Sequence, residues 1–212
     1  MGANGIMLLG TLSGMGLAVG VYFYTNFILK KSNIKPVKLP ILMITNGLAF
    51  LGIFSVYGWS LLGVLYSLFS TLLLSVSVID WFTYEIPPEQ NLCIGILGII
   101  RLVTDLNHWY IYALGFFVIS IFLYTIARIS GKMGGGDVKL MAVAGLLLGW
   151  KLNVLGFLLG CILGSVIHLA RMAVTKEKSM LAFGPYLAMG LYISALWGNT
   201  AIDWYFHTIL GL

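Results

Sequence analysis

Long apolar runs separated by short polar stretches account for most of the chain. A membrane-spanning helix needs about 20 consecutive apolar residues, and the pattern predicts about eight spans. They cover residues 6–29, 41–57, 59–79, 92–103, 110–129, 138–150, 152–174 and 183–197. The fourth and sixth runs are short, and each begins directly after a very polar loop, as expected for a helix beside a water-filled cleft. We therefore predict an all-α integral membrane protein, with residues 1–212 forming one polytopic domain.

The composition supports this fold class. Hydrophobic residues make up 60% of the chain and charged residues only 9%, whereas soluble domains carry about 25% charged residues. The two cysteines, Cys93 and Cys161, are isolated within apolar segments, which excludes a disulfide framework and a C-x-x-C zinc pair. The net charge of +5 follows the membrane topology, so we expect the lipid bilayer and not nucleic acid as a partner.

The lysines and arginines predict the orientation. Most lie in three segments, 30–38, 128–139 and 171–178, which share one side of the membrane if the spans alternate. Cytoplasmic loops carry the excess of basic residues, so both termini are predicted to lie outside. The loop after the third span is then also cytoplasmic, which brings Asp80 and Asp137 to the same face.

Asp80 and Asp137 are the candidate catalytic groups. Asp80 closes the apolar run of the third span, and Asp137 directly follows three consecutive glycines and precedes another apolar run. Carboxylates at a membrane face are costly and commonly functional. Each also has a simpler interpretation: Asp80 as a charge marking the end of a helix, and Asp137 as the N-cap of the sixth helix.

A pair of aspartates on one face has a specific chemistry. The two can share a proton, so that the ionised one takes a proton from water while the neutral one donates to a peptide carbonyl. The glycines allow a peptide substrate to approach the backbone closely. A magnesium site of Asp80, Glu85 and Asp137 is an alternative, because carboxylates suit hard cations. The zinc-protease signature His-Glu-x-x-His does not occur in the sequence.

Three motifs, spread over much of the chain, carry a resemblance to a known family. They are Gly134-Gly135-Gly136-Asp137 continuing as Val138-Lys139-Leu140, Ile79-Asp80 followed by Ile86-Pro87, and Phe183-Gly184-Pro185-Tyr186-Leu187-Ala188. With them the chain resembles the type IV prepilin peptidases, which are GxGD membrane aspartyl proteases. It resembles a form without the zinc-binding cytoplasmic cysteine domain, because only residues 30–40 separate the first two spans and they include no cysteine.

The resemblance implies a function and a site. Asp80 and Asp137 would be the catalytic pair of an endopeptidase in the bacterial cytoplasmic membrane. It would cleave the short basic leader of prepilins or pseudopilins after a glycine, at the cytoplasmic face and without a cofactor. Family members commonly also methylate the new N-terminus with S-adenosylmethionine, which we leave open because of the short loop at 30–40.

Five further residues are candidates for lining the site. Gly134 and Gly136 flank Asp137 in the motif, and Gly184 and Pro185 are expected to break the chain before the last span. Lys139 either favours an ionised carboxylate or contacts the substrate, or it only marks the cytoplasmic side of the membrane.

Two other functions fit parts of the pattern. A presenilin-like intramembrane protease would also use two aspartates, although the Ile79-Asp80-Trp81 context with Ile86-Pro87 nearby argues against it. A small transporter or assembly factor could use the same carboxylates to bind ions or protons without cleaving a peptide.

Overall fold

The structure, a computed structural model, describes residues 3–131, 134–175 and 181–209. These residues form eight α-helices and one short 3₁₀ helix, and no strand occurs among them. The helices are α1 (Ala3–Lys31), α2 (Leu39–Tyr57), α3 (Leu61–Thr83), α4 (Pro88–Thr104), α5 (Trp109–Ser130), α6 (Gly135–Leu148), α7 (Trp150–Thr175) and α8 (Gly184–Ile209). The predicted all-α membrane bundle is confirmed.

Five segments of the described chain are long and apolar enough to cross a membrane. They are Met7–Lys31, Leu39–Tyr57, Leu61–Thr83, Leu106–Ser130 and Trp150–Val174. The fourth and sixth helices are short, as the sequence predicts, at 17 and 14 residues. Helix α8 is 26 residues long but is not one of these five segments.

Two predicted boundaries are wrong in an informative way. Helix α3 continues past residue 79 to Thr83, and Tyr84 then ends it in a left-handed conformation with a φ of 57°. The Tyr84 N–H donates to the Asp80 carbonyl at 2.9 Å, so Asp80 lies within the last turn and not at the end of the helix. Helix α8 runs to Ile209 instead of ending at residue 197, because no proline follows and its exposed polar residues continue the helix.

Helix α3 is the centre of the bundle. It packs against α1, α2, α4 and α8. Its buried side chains, including Leu65, Phe69, Leu73 and Val76, belong to the main core that α4 to α8 complete. A smaller apolar cluster joins α1, α2 and the opposite side of α3. Asp80 is therefore carried by a helix that is packed on several sides.

Buried amides tie the helices together where they cross. Asn46 on α2 donates to the Gly14 carbonyl of α1 at 2.8 Å and accepts from the Thr71 hydroxyl of α3 at 3.2 Å. Asn153 on α7 donates to the carbonyls of Gly115 and Met141, each at 3.0 Å, and so links α7 to α5 and α6. Such bonds are strong restraints in an apolar surrounding, and the second set fixes the position of α6 in the bundle.

Candidate active site

Asp80 is held against the beginning of α8. Its side chain is 5% exposed, and its Oδ2 accepts a hydrogen bond of 2.8 Å from the backbone N–H of Gly184. Gly184 is the first residue of α8, so this N–H has no partner within the helix and points at the carboxylate. The positive end of the helix dipole stabilises negative charge on Asp80.

Glycine is required at 184 by the closeness of this contact. A Cβ at this position would lie 2.8 Å from Oδ2 of Asp80 and 2.9 Å from its Cγ. The predicted break before the last span is confirmed, since α8 begins at Gly184.

Asp137 lies in the first turn of α6. Gly134 occupies the N-cap position with an extended backbone, and Asp137 is the third residue of the helix. The interpretation of Asp137 as the N-cap is therefore wrong. The glycines can adopt helical as well as extended conformations, and α6 begins at Gly135, three residues before the predicted start of the sixth span at Val138.

The two aspartates line one cavity of about 380 Å³. Its described lining comes from the end of α3, the connection to α4, and the beginning of α6: Asp80, Tyr84, Glu85, Ile86, Gly134, Gly135, Gly136 and Asp137. Both carboxylates thus reach the same space, one from each side. A cavity of this volume can hold a peptide bond and a water molecule.

The connection between α3 and α4 contacts the glycines at 134–136, which we call the glycine turn. A Cβ added to Gly136 would lie 3.0 Å from the Cβ of Ile86, which is 8% exposed. The buried Asn91 side chain of α4 donates to the Gly136 carbonyl at 3.5 Å. These two contacts fix the backbone that carries Asp137 relative to the helix that follows Asp80.

Asp137 lies outside the five segments that can cross a membrane, and its surroundings change its acidity. Burial, together with the charge of Asp80, raises the pKa of Asp137 to about 7. A carboxyl group with this pKa is substantially protonated at neutral pH, so it can donate a proton to a substrate oxygen.

The remaining predicted site residues lie differently. Gly134 and Gly136 line the cavity. Pro185 follows Gly184 in α8 and is half-buried, and Lys139 is exposed; neither is among the described residues lining the cavity. Among the residues the structure describes, no three His, Cys, Asp or Glu side chains form a group that could hold a metal ion, so the magnesium alternative gains no support.

Sequence reasoning did not assign Tyr84, Ile86 or Asn91 to the site. Ile86 stands in the Ile-Pro motif, which could have indicated it. Asn91 is a polar residue that begins an apolar run, and its burial next to Gly136 has no marker in the hydropathy pattern. Tyr84 lines the cavity, and its left-handed backbone ends α3 four residues after Asp80.

Comparison with known proteins identifies the family of this chain. The profile of the type IV leader peptidase family matches residues 65–169, which include both aspartates. The chain belongs to the type IV leader peptidase family. Gly184, which bonds Asp80, lies beyond the matched segment.

Two curated relatives illustrate the similarity. The prepilin leader peptidase/N-methyltransferase of Bacillus subtilis (strain 168) is 33% identical over 147 residues, which is 68% of this chain and 59% of the relative. A protein of the same name from Xanthomonas campestris pv. campestris is 31% identical over 163 residues, or 70% of this chain and 54% of the relative. This chain thus spans little more than half the length of these two relatives. No solved structure matches it.

Proposed function

We propose that this chain is a type IV prepilin peptidase, an aspartic endopeptidase that removes the short basic leader of prepilins or pseudopilins. The observation that carries the proposal is that Asp80 and Asp137 reach one cavity from different helices. Membership of the leader peptidase family and the names of its relatives support it. Residues 1–212 act in this proposal as a single multi-pass domain of the bacterial cytoplasmic membrane, with the cavity facing the cytoplasm.

The surroundings of the two aspartates suggest separate roles. The Gly184 N–H and the N-terminal end of α8 stabilise the anionic form of Asp80, so Asp80 is the base that takes a proton from the attacking water. The pKa of Asp137, raised to about 7, keeps a proton available for the carbonyl oxygen of the scissile bond. Because Asp80 and Asp137 interact, the pair shares one proton near neutral pH.

The glycine turn suits a peptide substrate. Gly134 and Gly135 are exposed at the cavity and carry no side chain of their own that would obstruct an extended peptide. The substrate has a glycine before its scissile bond, which also lets the two backbones approach each other closely. Replacing that substrate glycine by a bulky residue is expected to block cleavage.

The test is mass spectrometry of the N-terminus of a prepilin coexpressed with the chain. The wild-type chain should produce the mature N-terminus, whereas Asp80→Asn and Asp137→Asn should each leave the leader attached. Asp203→Asn is the matched control, because it makes the same chemical change at an exposed position of α8. Normal processing by either site variant, at equal membrane abundance, would refute the proposal.

The same spectrum reports methylation of the new N-terminus. The printed names of the relatives include N-methyltransferase activity, and S-adenosylmethionine would supply the methyl group if this chain shares it. The proposed cleavage uses only the two aspartates and water, and no step of it passes through S-adenosylmethionine.

A further inference from the structure

A lateral cleft lies between α1 and α4. Each of these helices packs on α3, but in the described part of the chain they do not pack against each other. A cavity of about 210 Å³ fills the gap, with Val21 and Tyr24 on one wall, Cys93 and Gln90 on the other, and Leu72 and Ser75 of α3 as its floor. Gly20 and Cys93 at its edges are exposed, so the cleft is open toward the side of the bundle.

The cleft contains polar atoms without partners. Gln90 is 3% exposed, and its Nε2 donates to the Ser75 hydroxyl, which is also bonded to the Thr25 hydroxyl at 3.0 Å. The other end of the same amide, Gln90 Oε1, is buried and has no partner, and neither has the hydroxyl of Tyr24. An unsatisfied buried polar atom costs about 1–3 kcal/mol. Both atoms lie beneath the apolar lining of the cleft, so a polar group of a bound helix that reached them would gain their pairing.

The cleft adjoins the aspartates along two helices. Ser75 lies five residues before Asp80 on α3, a rise of about 7.5 Å at 1.5 Å per residue. On α4, Gln90 is the neighbour of Asn91, whose amide reaches Gly136 in the glycine turn. A helix that begins at the aspartates and enters the membrane can therefore pass directly over the floor of the cleft.

We propose that this cleft seats the apolar helix of the substrate, with Gln90 and Tyr24 contacting a polar group on that helix one to two turns beyond the scissile bond. The proposal rests on the proposed function, because that function supplies a substrate whose helix begins at the cut. The apolar walls match such a helix. Glu89, exposed at the end of the cleft nearest the cavity of the aspartates, adds a negative charge where a basic leader lies.

The native cysteines allow a direct test. Cys93 lines the cleft, whereas Cys161 on α7 lines a different cavity, beside His168 and Phe183. One variant retains only Cys93 (Cys161→Ser), and the other retains only Cys161 (Cys93→Ser). Both also carry Asp137→Asn to prevent cleavage, and both are oxidised in membranes. The partner is a prepilin with single cysteines placed at successive positions of its helix. Cys93 should form disulfides with helix positions about four to eight residues past the scissile bond, in a helical repeat, and Cys161 with none of them.

Kinetics test the polar pair separately. Gln90→Leu keeps the volume of the side chain but removes the unpaired acceptor, so we expect KM to rise about three- to tenfold with kcat unchanged, as for the loss of one hydrogen bond. Thr25→Val is the matched control, because Thr25 belongs to the same hydrogen-bonded chain but does not line the cleft. An equal KM increase in both variants would assign Gln90 a merely structural role and overturn the polar contact.

The outcomes separate this proposal from the proposed function. If the wild-type chain cleaves prepilin but Cys93 forms no disulfide with any helix position, or Cys161 forms them equally well, substrate docking in the cleft is refuted while the peptidase assignment stands. If the wild-type chain cleaves no prepilin, both fall. Cleavage together with a Cys93-specific helical pattern supports the cleft as the seat of the substrate helix.

Discussion

Replacement of Gly184 by alanine should reduce catalysis without unfolding the protein. The new methyl group would lie 2.8 Å from Oδ2 and 3.0 Å from Cβ of Asp80, whereas ordinary contacts of a Cβ begin at 3.4 Å. Because Gly184 is part of a 26-residue helix packed on α7, the side chain of Asp80 gives way before the helix does. Relief of the closest contact then requires a displacement of about 0.6 Å, the difference between 3.4 and 2.8 Å.

The displacement sets the expected magnitude. Catalytic groups must be held within about 0.5 Å of their productive positions, and a 1 Å misplacement can cost about 100-fold in rate. We therefore expect the kcat of Gly184→Ala to fall about ten- to a hundredfold. Alanine is a better helix former than glycine, so the thermal unfolding temperature should change little.

The assay is single-turnover cleavage of prepilin by purified protein in proteoliposomes, alongside thermal unfolding of the same samples. Gly16→Ala is the control, because a Cβ at this position of α1 meets nothing within 4 Å and Gly16 is remote from the aspartates. Wild-type kcat in Gly184→Ala would refute the reasoning that this contact positions Asp80. A loss of kcat that accompanies a large fall in unfolding temperature would also count against it.

Two further predictions concern the other half of the site. A Cβ on Gly136 would lie 3.0 Å from Ile86, whereas one on Gly135 meets nothing within 4 Å. Gly136→Ala should therefore lower kcat several-fold more than Gly135→Ala. Equal kcat values would contradict the view that the contact with Ile86 positions Asp137. The pKa of Asp137 is raised to about 7, so its acid form predominates below that pH and is lost above it: kcat should fall as pH rises through about 7. A kcat that rises over that interval would show that Asp137 does not act as the acid.

Much of the fold follows from hydropathy, because an apolar environment allows few alternatives to a helix. The runs of apolar residues predict the number of helices and the short length of α4 and α6. They do not predict where helices end, since ends depend on backbone conformation. The left-handed Tyr84 ends α3, and Gly135 and Gly136 form the first residues of α6 instead of preceding it.

The sequence predicts the two acidic residues of the candidate site but not the contacts that orient them. Acidic residues are few in this chain, and two of them stand in distinctive motifs, so Asp80 and Asp137 could be identified from their contexts. The contacts that orient them involve residues far apart in sequence: Gly184 is 104 positions from Asp80, and Asn91 is 45 positions from Gly136. Neither pairing leaves a local pattern, because each depends on how α8 and α4 pack on the rest of the bundle.

The site is positioned mainly by backbone, and this has a chemical consequence. Asp80 is oriented by a main-chain N–H of Gly184, and the backbone before Asp137 is fixed by its contact with Ile86 and by an amide bonded to the Gly136 carbonyl. No additional charged side chain is needed for these restraints. A lysine or arginine in that role would lower the pKa of Asp137 and remove the proton that the proposed mechanism takes from it. Close packing at glycines thus brings two carboxylates to one cavity while the pKa of Asp137 stays raised to about 7.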